Sequence, residues 1–549
     1  MNTLQPTLLA ALAAALTASA SPAQRSPLNR DPGHRKVVQW SPDREPHRYG
    51  LDHTAALPGG GLSLGVLAAP FAGEGAPEYR DLPYALRDGA LVFDLQVLEA
   101  MATLPGERFH VSPFPGEDFE LIPTAREVHA GIPAVIGRVA DRAYADFILA
   151  RHGDAVFLDL RLWDVGRFFQ LRYVGQGVAF VHEISTSREH VCGNELLPGG
   201  GSPPDPAPDD PDDPGGAPPR RPGGPIVPKS LGSPSGDSGD LVDVLMVYTT
   251  AAKDDEGGEA NVLLVAAFSI IDMNIRLANN GIGLSMRMVD AREAVGYTEV
   301  GDGSELDALT SSTDGLMDEV HTWRDENHAD LVSLLVEDAG GGFLTNTCGV
   351  GWRPDDCGEF NASGAAFTII DTDCAGSNGT VAHELGHNLG CAHDPPNAPP
   401  NSELWSFFAQ GICYTDFLSD DHSTMSYQCG TFDGEQHPYF SDPGVIIEGN
   451  LFGSPSQYNA LQIDVARSCI ANYRLGDGLR YCDPSSSGGL GSFALPYAEV
   501  SSGVSSVASD GTVILAPGSY SEPGGTLTIS KPVRLELEFT GGGPAVINP

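Results

Sequence analysis

The apolar and polar positions along the chain divide it into regions with different predicted structure. In residues 21–197, apolar stretches such as 156–162 and 168–173 alternate with polar positions, a pattern that predicts the strands of a β-rich domain. Residues 198–239 consist largely of Pro, Gly, Asp and Ser. Because such a segment cannot bury a core, it is predicted to form an extended linker.

Residues 240–475 alternate short apolar runs with longer helical periods, which predicts an α/β (α+β) domain with a mixed, mostly parallel sheet. The lower part of this domain is expected to be rich in loops and tied by disulfides. Strands are predicted at 241–248, 284–289, 331–336 and 366–371, and helices at 259–279, 304–327, 457–473 and from Gly379 onward.

Residues 478–549 have a third pattern, in which short apolar runs alternate with turns. Residues 510–520 read as strand, turn and strand, and 527–529 and 533–537 continue the series. This pattern resembles the opening coils of right-handed parallel β-helix proteins, although a stable solenoid needs about three repeats. The region is therefore interpreted as a short β-helix-like module, with a truncated remnant or an incomplete segment as alternatives.

Charge and the N-terminal sequence narrow the class of protein. The chain has 549 residues, enough for several domains, and its net charge of -42 argues against a nucleic-acid-binding protein, which needs basic patches. An apolar run at 8–16, followed by small residues at 18–20, predicts a signal peptide over residues 1–20. No other segment is predicted to span a membrane, so we expect a soluble, secreted, extracellular protein.

The strongest chemical signal is the sequence H-E-x-x-H-x-x-G-x-x-H-D, which runs from His383 to Asp394. His383 and His387 are one helical turn apart, so both project from the same face of a helix. His393 supplies a third imidazole, and three imidazoles can hold a zinc ion while leaving its fourth position open for water. Glu384 lies beside the metal, where it can accept a proton from water and pass it to a leaving amine.

Gly390 explains how the third histidine can reach the same metal. It lies one turn past His387 and can take backbone angles that other residues avoid, so the chain is expected to turn back there and deliver His393 from outside the helix. A purely structural cluster is the alternative interpretation. The third histidine, the glycine and Asp394 at fixed spacing argue against that alternative.

The long histidine motif resembles that of the metzincin zinc endopeptidases. Residues 423–427, Ser-Thr-Met-Ser-Tyr, fit the Met-turn of that clan. The resemblance implies that Met425 forms an apolar floor beneath the histidines, an ordinary core methionine being the alternative. Tyr427 is similar to the tyrosine of astacins and serralysins, which implies a fifth zinc ligand or a group that stabilises the tetrahedral intermediate. A buried tyrosine with a satisfied hydroxyl is the alternative.

Asp394, directly after the third histidine, resembles the reprolysin (adamalysin/ADAM-type) family, and the similarity covers roughly residues 240–475. Residues 348–350, 366–371 and 439–443 are similar to those of secreted bacterial members. The resemblance implies zinc as the cofactor and strand 366–371 as the rim that pairs with an extended substrate. Calcium in a structural role is compatible with the acidic loops, although no EF-hand-like loop occurs.

The nine cysteines support export and suggest a latency device. Cys192 is alone in the N-terminal region, and a thiolate there can occupy the open zinc position. This resembles the cysteine switch of metzincin propeptides, so residues 21–197 are interpreted as a propeptide; an unpaired or intermolecular cysteine is the alternative. The other eight, an even set that predicts disulfides, are Cys348, Cys357, Cys374, Cys391, Cys413, Cys429, Cys469 and Cys482.

The sequence therefore predicts a secreted zinc endopeptidase with protein substrates, made as a latent precursor. In this hypothesis His383, His387 and His393 bind zinc and Glu384 acts as general base and then acid. The alternative is a surface- or carbohydrate-binding protein that contacts extracellular matrix or polysaccharide through residues 478–549. A weaker possibility is hydrolysis of another bond, since a zinc-activated water is not limited to peptides.

Overall fold

The computed structural model describes part of the N-terminal region and most of the remaining chain. The predicted signal peptide (1–20) and linker (198–239) lie outside the described residues, and the domain boundaries stay predictions. The described residues are 36–37, 62–67, 78–79, 85–93, 97 and 101, and then, with brief gaps, 108–192, 241–340, 347–356, 364–376, 379–398, 404–415, 420–427, 436–447, 450–474, 479–486, 496–507, 511–522, 525–537 and 545–548.

A closed β-barrel precedes the linker. Nine strands are hydrogen-bonded in the order β10-β11-β4-β2-β5-β6-β7-β8-β9, and β9 pairs back to β10, while β1 pairs with β3 separately. The predicted strands at 156–162 and 168–173 are confirmed as β9 and β10. The strands are β1 (Lys36–Val37), β2 (Leu62–Leu67), β3 (Glu78–Tyr79), β4 (Ala85–Phe93), β5 (Phe109–Val111), β6 (Phe119–His129), β7 (Ile132–Val139), β8 (Asp146–His152), β9 (Ala155–Leu162), β10 (Arg167–Gly175) and β11 (Val178–Ser185), with a 3-10 turn at Trp163–Val165.

A six-stranded sheet with helices forms the next region. The strand order is β12-β16-β17-β15-β13-β14, and every neighbouring pair is parallel except β16 with β17. The predicted mixed, mostly parallel α/β sheet is therefore confirmed. Its elements are β12 (Val191–Cys192), β13 (Leu241–Thr249), α1 (Thr250–Asp255), α2 (Glu259–Asn279), β14 (Ser285–Ala294), α3 (Glu305–Thr310), α4 (Glu319–Glu326), β15 (Leu331–Val336), β16 (Thr347–Gly351), β17 (Phe367–Asp371) and α5 (Thr380–Asn388).

The prediction of one helix over 304–327 is wrong. Helix α3 ends at Thr310, and α4 begins only at Glu319. Between them Gly315 and Met317 have φ values of 81° and 58°, and a right-handed helix cannot continue through residues with positive φ. The Ser, Thr, Asp and Gly residues of this stretch favour turns over helix.

The prediction that strand 366–371 forms the rim of the sheet is also wrong. Strand β17 is internal, because β15 pairs with one of its edges and β16 with the other. Strand β16 therefore lies nearer the edge on this side, and the two residues of β12 pair parallel to its outer edge. An apolar run alone could not distinguish an internal strand from the rim.

Helix α2 is apolar around its circumference because it is covered on two sides. It packs against β14 and α5 on one side and against barrel strands β8 and β9 on the other. By length and composition it could cross a membrane, which corrects the expectation that no such segment follows the N-terminus. However, 72% of its most apolar window is buried inside the protein, and this burial between two layers explains its composition.

The region after α5 contains short strand pairs, one helix and several cysteines. Its elements are β18 (Cys413–Thr415), β19 (Asp420–His422), β20 (Ile446–Ile447), β21 (Asn450–Leu451) and α6 (Asn459–Ile470), which confirms the last predicted helix with shorter bounds. A disulfide joins Cys348 to Cys374, and Cys413 and Cys469 are also disulfide-bonded.

The expectation of a fully paired set of eight cysteines is wrong. Cys391 and Cys482 are buried free thiols. Each lies within a separate apolar cluster, one in the core around the sheet and the other in the C-terminal region. A buried cysteine behaves as a small apolar side chain, so an even count alone could not identify the unpaired members.

The C-terminal region is built from parallel strands. Strands β22, β23 and β25 form one parallel sheet, and β24 pairs parallel with β26. A β-helix-like module in this region, and any contact with matrix or polysaccharide through it, stay predictions. The elements are β22 (Leu479–Cys482), α7 (Val500–Ser506), β23 (Thr512–Leu515), β24 (Gly518–Ser521), β25 (Arg534–Leu537) and β26 (Ala545–Asn548).

Candidate active site

Three histidine side chains converge where α5 meets the loop that follows it. The Nε2 atom of His393 lies 3.1 Å from Nε2 of His383 and 3.0 Å from Nε2 of His387. The three residues are between 1% and 4% exposed. The motif prediction that these side chains share one site therefore agrees with their geometry.

The hydrogen bonds of the other ring nitrogens define the tautomers. Nδ1 of His383 lies 2.8 Å from the carbonyl oxygen of Thr424, Nδ1 of His387 2.9 Å from that of Cys391, and Nδ1 of His393 3.4 Å from that of Asn397. A carbonyl oxygen only accepts, so each neutral ring must carry its hydrogen on Nδ1. The three Nε2 lone pairs then face one another.

This arrangement fits a metal ion. Burial lowers the pKa of His383 to about 4 and places the pKa values of His387 and His393 well below their usual range, so the three rings are neutral. Three neutral imidazoles, each oriented by a carbonyl, are the donor set of a catalytic zinc site. Within the described ranges this is the one group of His, Cys, Asp or Glu side chains that could hold a metal, so calcium gains no support.

Helix α5 ends in a way that brings His393 to its partners. Gly390 has a φ of 82°. Its N–H donates to the carbonyl of His387 at 2.8 Å, and the N–H of Cys391 donates to the carbonyl of Gly386 at 3.0 Å. These two bonds form a Schellman motif, which requires a left-handed residue and so favours glycine. The predicted turn at Gly390 is confirmed.

Glu384 lies on α5 next to His383, and its side chain contacts strand β16. It is 1% exposed. A Cβ atom at Gly349 would lie 2.7 Å from Cγ of Glu384, and one at Gly351 would lie 3.2 Å from its Oε2. The two glycines of β16 therefore leave room for the carboxylate, which extends along this strand.

Met425 packs against α5. It is fully buried, and a Cβ atom at Gly386 would lie 2.4 Å from its sulfur. The same position on Gly386 would be 3.2 Å from the ring of Phe440, which the sequence analysis did not single out. The helix segment between His383 and His387 thus rests on a thioether and an aromatic ring.

Tyr427 lies beside the histidines. Its ring centroid is 4.6 Å from that of His393 and 6.2 Å from that of His383. Its backbone N–H donates to Oδ1 of Asp394 at 3.3 Å, and Asp394 also accepts from the side chain of Asn397. Asp394 therefore connects the loop of the third histidine to the end of the Met-turn.

Cys192 belongs to the two-residue strand β12. Cys192 pairs with Gly349 and Val191 with Thr347, parallel to β16. Gly349 is the β16 glycine on which an added Cβ atom would lie 2.7 Å from Cγ of Glu384. The chain just before the predicted linker therefore occupies the outer edge of the rim strand.

Two residues behind the site were not identified from the sequence. Nη1 of Arg276 donates to Oγ1 of Thr424 at 3.0 Å, and the carbonyl of Thr424 accepts from His383. Arg276 is fully buried and pairs with Asp272 one turn earlier on α2. The sequence did contain a signal for them, because an Asp and an Arg lie one turn apart in a mostly apolar helix, a spacing that allows an ion pair.

Known proteins resemble the central part of this chain. Residues 242–442 match the family model described as metallo-peptidase family M12B, reprolysin-like. A peptidyl-Asp metalloendopeptidase of Stenotrophomonas maltophilia (strain R551-3) is 27% identical over 252 residues, which are 45% of this chain and 55% of the relative. The alignment thus spans about half the length of that relative.

Two further relatives have the same name. The protein of Xanthomonas campestris pv. campestris (strain ATCC 33913) is 25% identical over 60% of this chain and 69% of its own length. The protein of Pseudomonas aeruginosa (strain ATCC 15692) is 29% identical over 37% of this chain and 35% of its own length. The crystal structure of metalloproteinase-II from Bacteroides fragilis aligns with 54% of this chain and 85% of its own length, at 11% identity and with a TM-score of 0.32.

Proposed function

We propose that this chain is a zinc-dependent endopeptidase of the reprolysin-like M12B type, secreted as a latent precursor, because residues 242–442 match the family model of that description. The observation that carries the proposal is the convergence of three buried, neutral imidazoles: the Nε2 atoms of His383 and His387 lie 3.1 Å and 3.0 Å from that of His393. Peptide bonds of protein substrates are the proposed target. Export is supported by the signal-like N-terminus and by disulfide-bonded cysteines.

In this mechanism His383, His387 and His393 hold zinc, which when bound supplies Lewis acidity to the scissile carbonyl and to a water. Glu384 takes a proton from the attacking water and then passes it to the nitrogen of the leaving amine. The Tyr427 hydroxyl donates a hydrogen bond to the oxygen of the tetrahedral intermediate, a role supported by the contact of its ring with His393.

We propose that the substrate binds as an extended strand along β16 and is cleaved at bonds formed by aspartate. The first proposal is supported by the glycines of β16 that abut Glu384, and by backbone pairing as a common mode of peptide recognition. The second is supported by the name shared by the relatives. Arg353 lies just after β16, and its positive charge contributes to the lowered pKa values of His387 and His393. The same charge can attract an acidic side chain of the substrate.

Casein hydrolysis by the purified full chain, beside its Cys192→Ser variant in which the proposed latency is relieved, tests the proposal. We expect cleavage that a zinc chelator stops and that added zinc restores, because the three histidines depend on the metal for catalysis. Mass spectrometry of the products should show aspartate at most new termini. Chelator-resistant cleavage would contradict the zinc mechanism, whereas termini without aspartate would contradict only the specificity.

Latency is proposed to depend on Cys192. Its support is the pairing of residue 192 with Gly349, next to the contact with Glu384. A tethered ligand reaches an effective concentration on the order of 1 mM, so a thiolate can keep water from the metal. We therefore expect Cys192→Ser to raise the casein-hydrolysis rate of the uncut chain by about tenfold or more.

The free thiol Cys482, in the C-terminal region, provides the matched control. Cys482→Ser should leave the rate unchanged, because this thiol belongs to the C-terminal cluster. Equal rates for Cys192→Ser and the unmodified chain, with zinc content equal in both, would contradict the cysteine switch. The zinc peptidase proposal would survive that result.

A further inference from the structure

The outer surface of the barrel is buried where α2 lies against it. Along β9, alternate side chains such as Leu158 and Leu160 belong to the barrel's own core. The positions between them, Phe157, Asp159 and Arg161, therefore face outward, yet none is more than 2% exposed. A barrel that acted alone would not place two charged side chains in such a position, because burying charge is costly without partners.

Apolar packing joins the barrel to the sheet region. The Phe157 ring meets that of Phe268 on α2 edge to face, with 5.1 Å between centroids. Ile148 and Ala150 of β8 belong to the same buried cluster as the side chains of α2 and the sheet. Without the barrel, this face of α2 would be exposed to water.

Arg161 connects the barrel to helix α2 through ion pairs. Its Nε donates to Oδ1 of Asp146 at 2.6 Å, and its Nη1 pairs with the carboxylate of Asp272 on α2. The other oxygen of Asp272 accepts from Nε of Arg276 at 2.9 Å. Asp272 thus bridges one guanidinium of the barrel and one of its own helix, and the three side chains are at most 3% exposed.

Arg276, which provides the second guanidinium, contacts the candidate active site. Arg276 donates to Oγ1 of Thr424, whose carbonyl orients His383. A Cβ atom at Gly379 would lie 2.2 Å from Nη2 of Arg276, so this guanidinium also abuts the start of α5. A continuous series of contacts therefore runs from Arg161 to a predicted metal ligand.

The barrel meets the rest of the protein away from the rim strand. Arg172 pairs with Glu256 after α1, and the N–H of Ala130 donates to the carbonyl of Met288 on β14 at 3.1 Å. Strand β16 pairs instead with β12, the two residues that precede the predicted linker. The segment that covers the rim is therefore distinct from the surface that covers α2.

We propose that the barrel is a permanent part of the active protein and is not discarded on activation. We also propose that Arg161 of the barrel is a positioning residue, which acts on the metal site through Asp272, Arg276 and Thr424. Activation then requires displacement of the segment around residue 192 and not of the barrel. The positioning role rests on the proposed zinc peptidase function. The permanence of the barrel does not.

The first test cuts the full chain within the linker. A recognition sequence for a specific protease is inserted between residues 198 and 239, and the cut chain is examined by size-exclusion chromatography with light scattering. We expect a single particle with the mass of the uncut chain, which separates only in denaturant. In the Cys192→Ser background this particle should hydrolyse casein as fast as the uncut variant. Separation of the fragments in native buffer would overturn the proposal.

The second test uses the visible spectrum of Co2+ bound in place of zinc, since this spectrum reports ligand geometry. We expect Arg161→Met to change the cobalt spectrum and to weaken zinc affinity by about tenfold, as loss of outer contacts to metal ligands generally does. Arg161→Lys, which keeps a positive charge, should restore part of both. The control is Arg172→Met, which removes the ion pair with Glu256 and should leave the spectrum unchanged.

The outcomes distinguish the positioning role of Arg161 from the permanence of the barrel, and both from the proposed function. An unchanged cobalt spectrum in Arg161→Met would overturn the positioning role, even if the cut fragments stay together. Failure of the unmodified chain to bind cobalt or zinc would overturn the proposed function, while co-elution of the fragments would still decide whether the barrel is permanent. If Arg161→Met does not fold, the linker cut in the otherwise unmodified chain remains decisive for the barrel.

Discussion

Glu384→Gln should abolish most peptide hydrolysis while leaving the metal site intact. The amide has the size of the carboxylate but cannot take a proton from water, and a general base typically contributes about 10²–10⁴-fold to the rate. The three histidines and their carbonyl partners do not depend on the carboxylate. We therefore expect kcat/KM for casein-derived peptides to fall by at least about a hundredfold, with unchanged zinc content by mass spectrometry.

The control for this variant is an exposed glutamate on a different helix. Glu319 begins α4 and is exposed, so Glu319→Gln makes the same chemical change away from the site and should keep full activity. The pH dependence adds a second readout, since the acidic limb of the rate profile should disappear when its base is removed. Retention of a tenth or more of the activity by Glu384→Gln would mean that another group takes the proton.

The local parts of the site were predictable because their geometry is fixed by short spacing. Two histidines one turn apart must share a helix face, and a glycine one turn later can take the left-handed conformation that ends α5. Gly390 does so, with both hydrogen bonds of a Schellman motif. The bounds of α2 were also predicted correctly, since a long apolar period leaves little choice of element.

The remaining features depend on contacts between distant parts of the chain. The apolar circumference of α2 indicated burial, but no local pattern says that its second face packs on a barrel. In the same way, an apolar strand at 366–371 is compatible with an internal or a rim position. The strand order of the sheet shows that this strand is internal. Arg161 and Asp272 meet across more than a hundred residues, so neither could be assigned as the other's partner.

His387→Ala should remove the metal and with it both activity and part of the stability. The imidazole is 2% exposed and its Nε2 lies 3.0 Å from that of His393, and among the described residues no other His, Cys, Asp or Glu side chain is grouped with these three as a possible ligand. A metal that binds only the folded state stabilises it by about 4 kcal/mol when its free concentration is a thousand times Kd. We expect no zinc after dialysis, no measurable hydrolysis, and a melting temperature no higher than that of the chelated unmodified protein.

The comparison with Glu384→Gln makes this prediction specific. Both variants should lose hydrolysis, but only His387→Ala should lose the rise in melting temperature on addition of zinc, because only that variant loses a ligand. His152→Ala is the control for the loss of an imidazole, since His152 is half-buried on barrel strand β8, a separate part of the fold. A zinc-dependent rise in melting temperature that persists in His387→Ala would place the metal outside the three histidines, and the catalytic role of Glu384 would then have to be reconsidered with it.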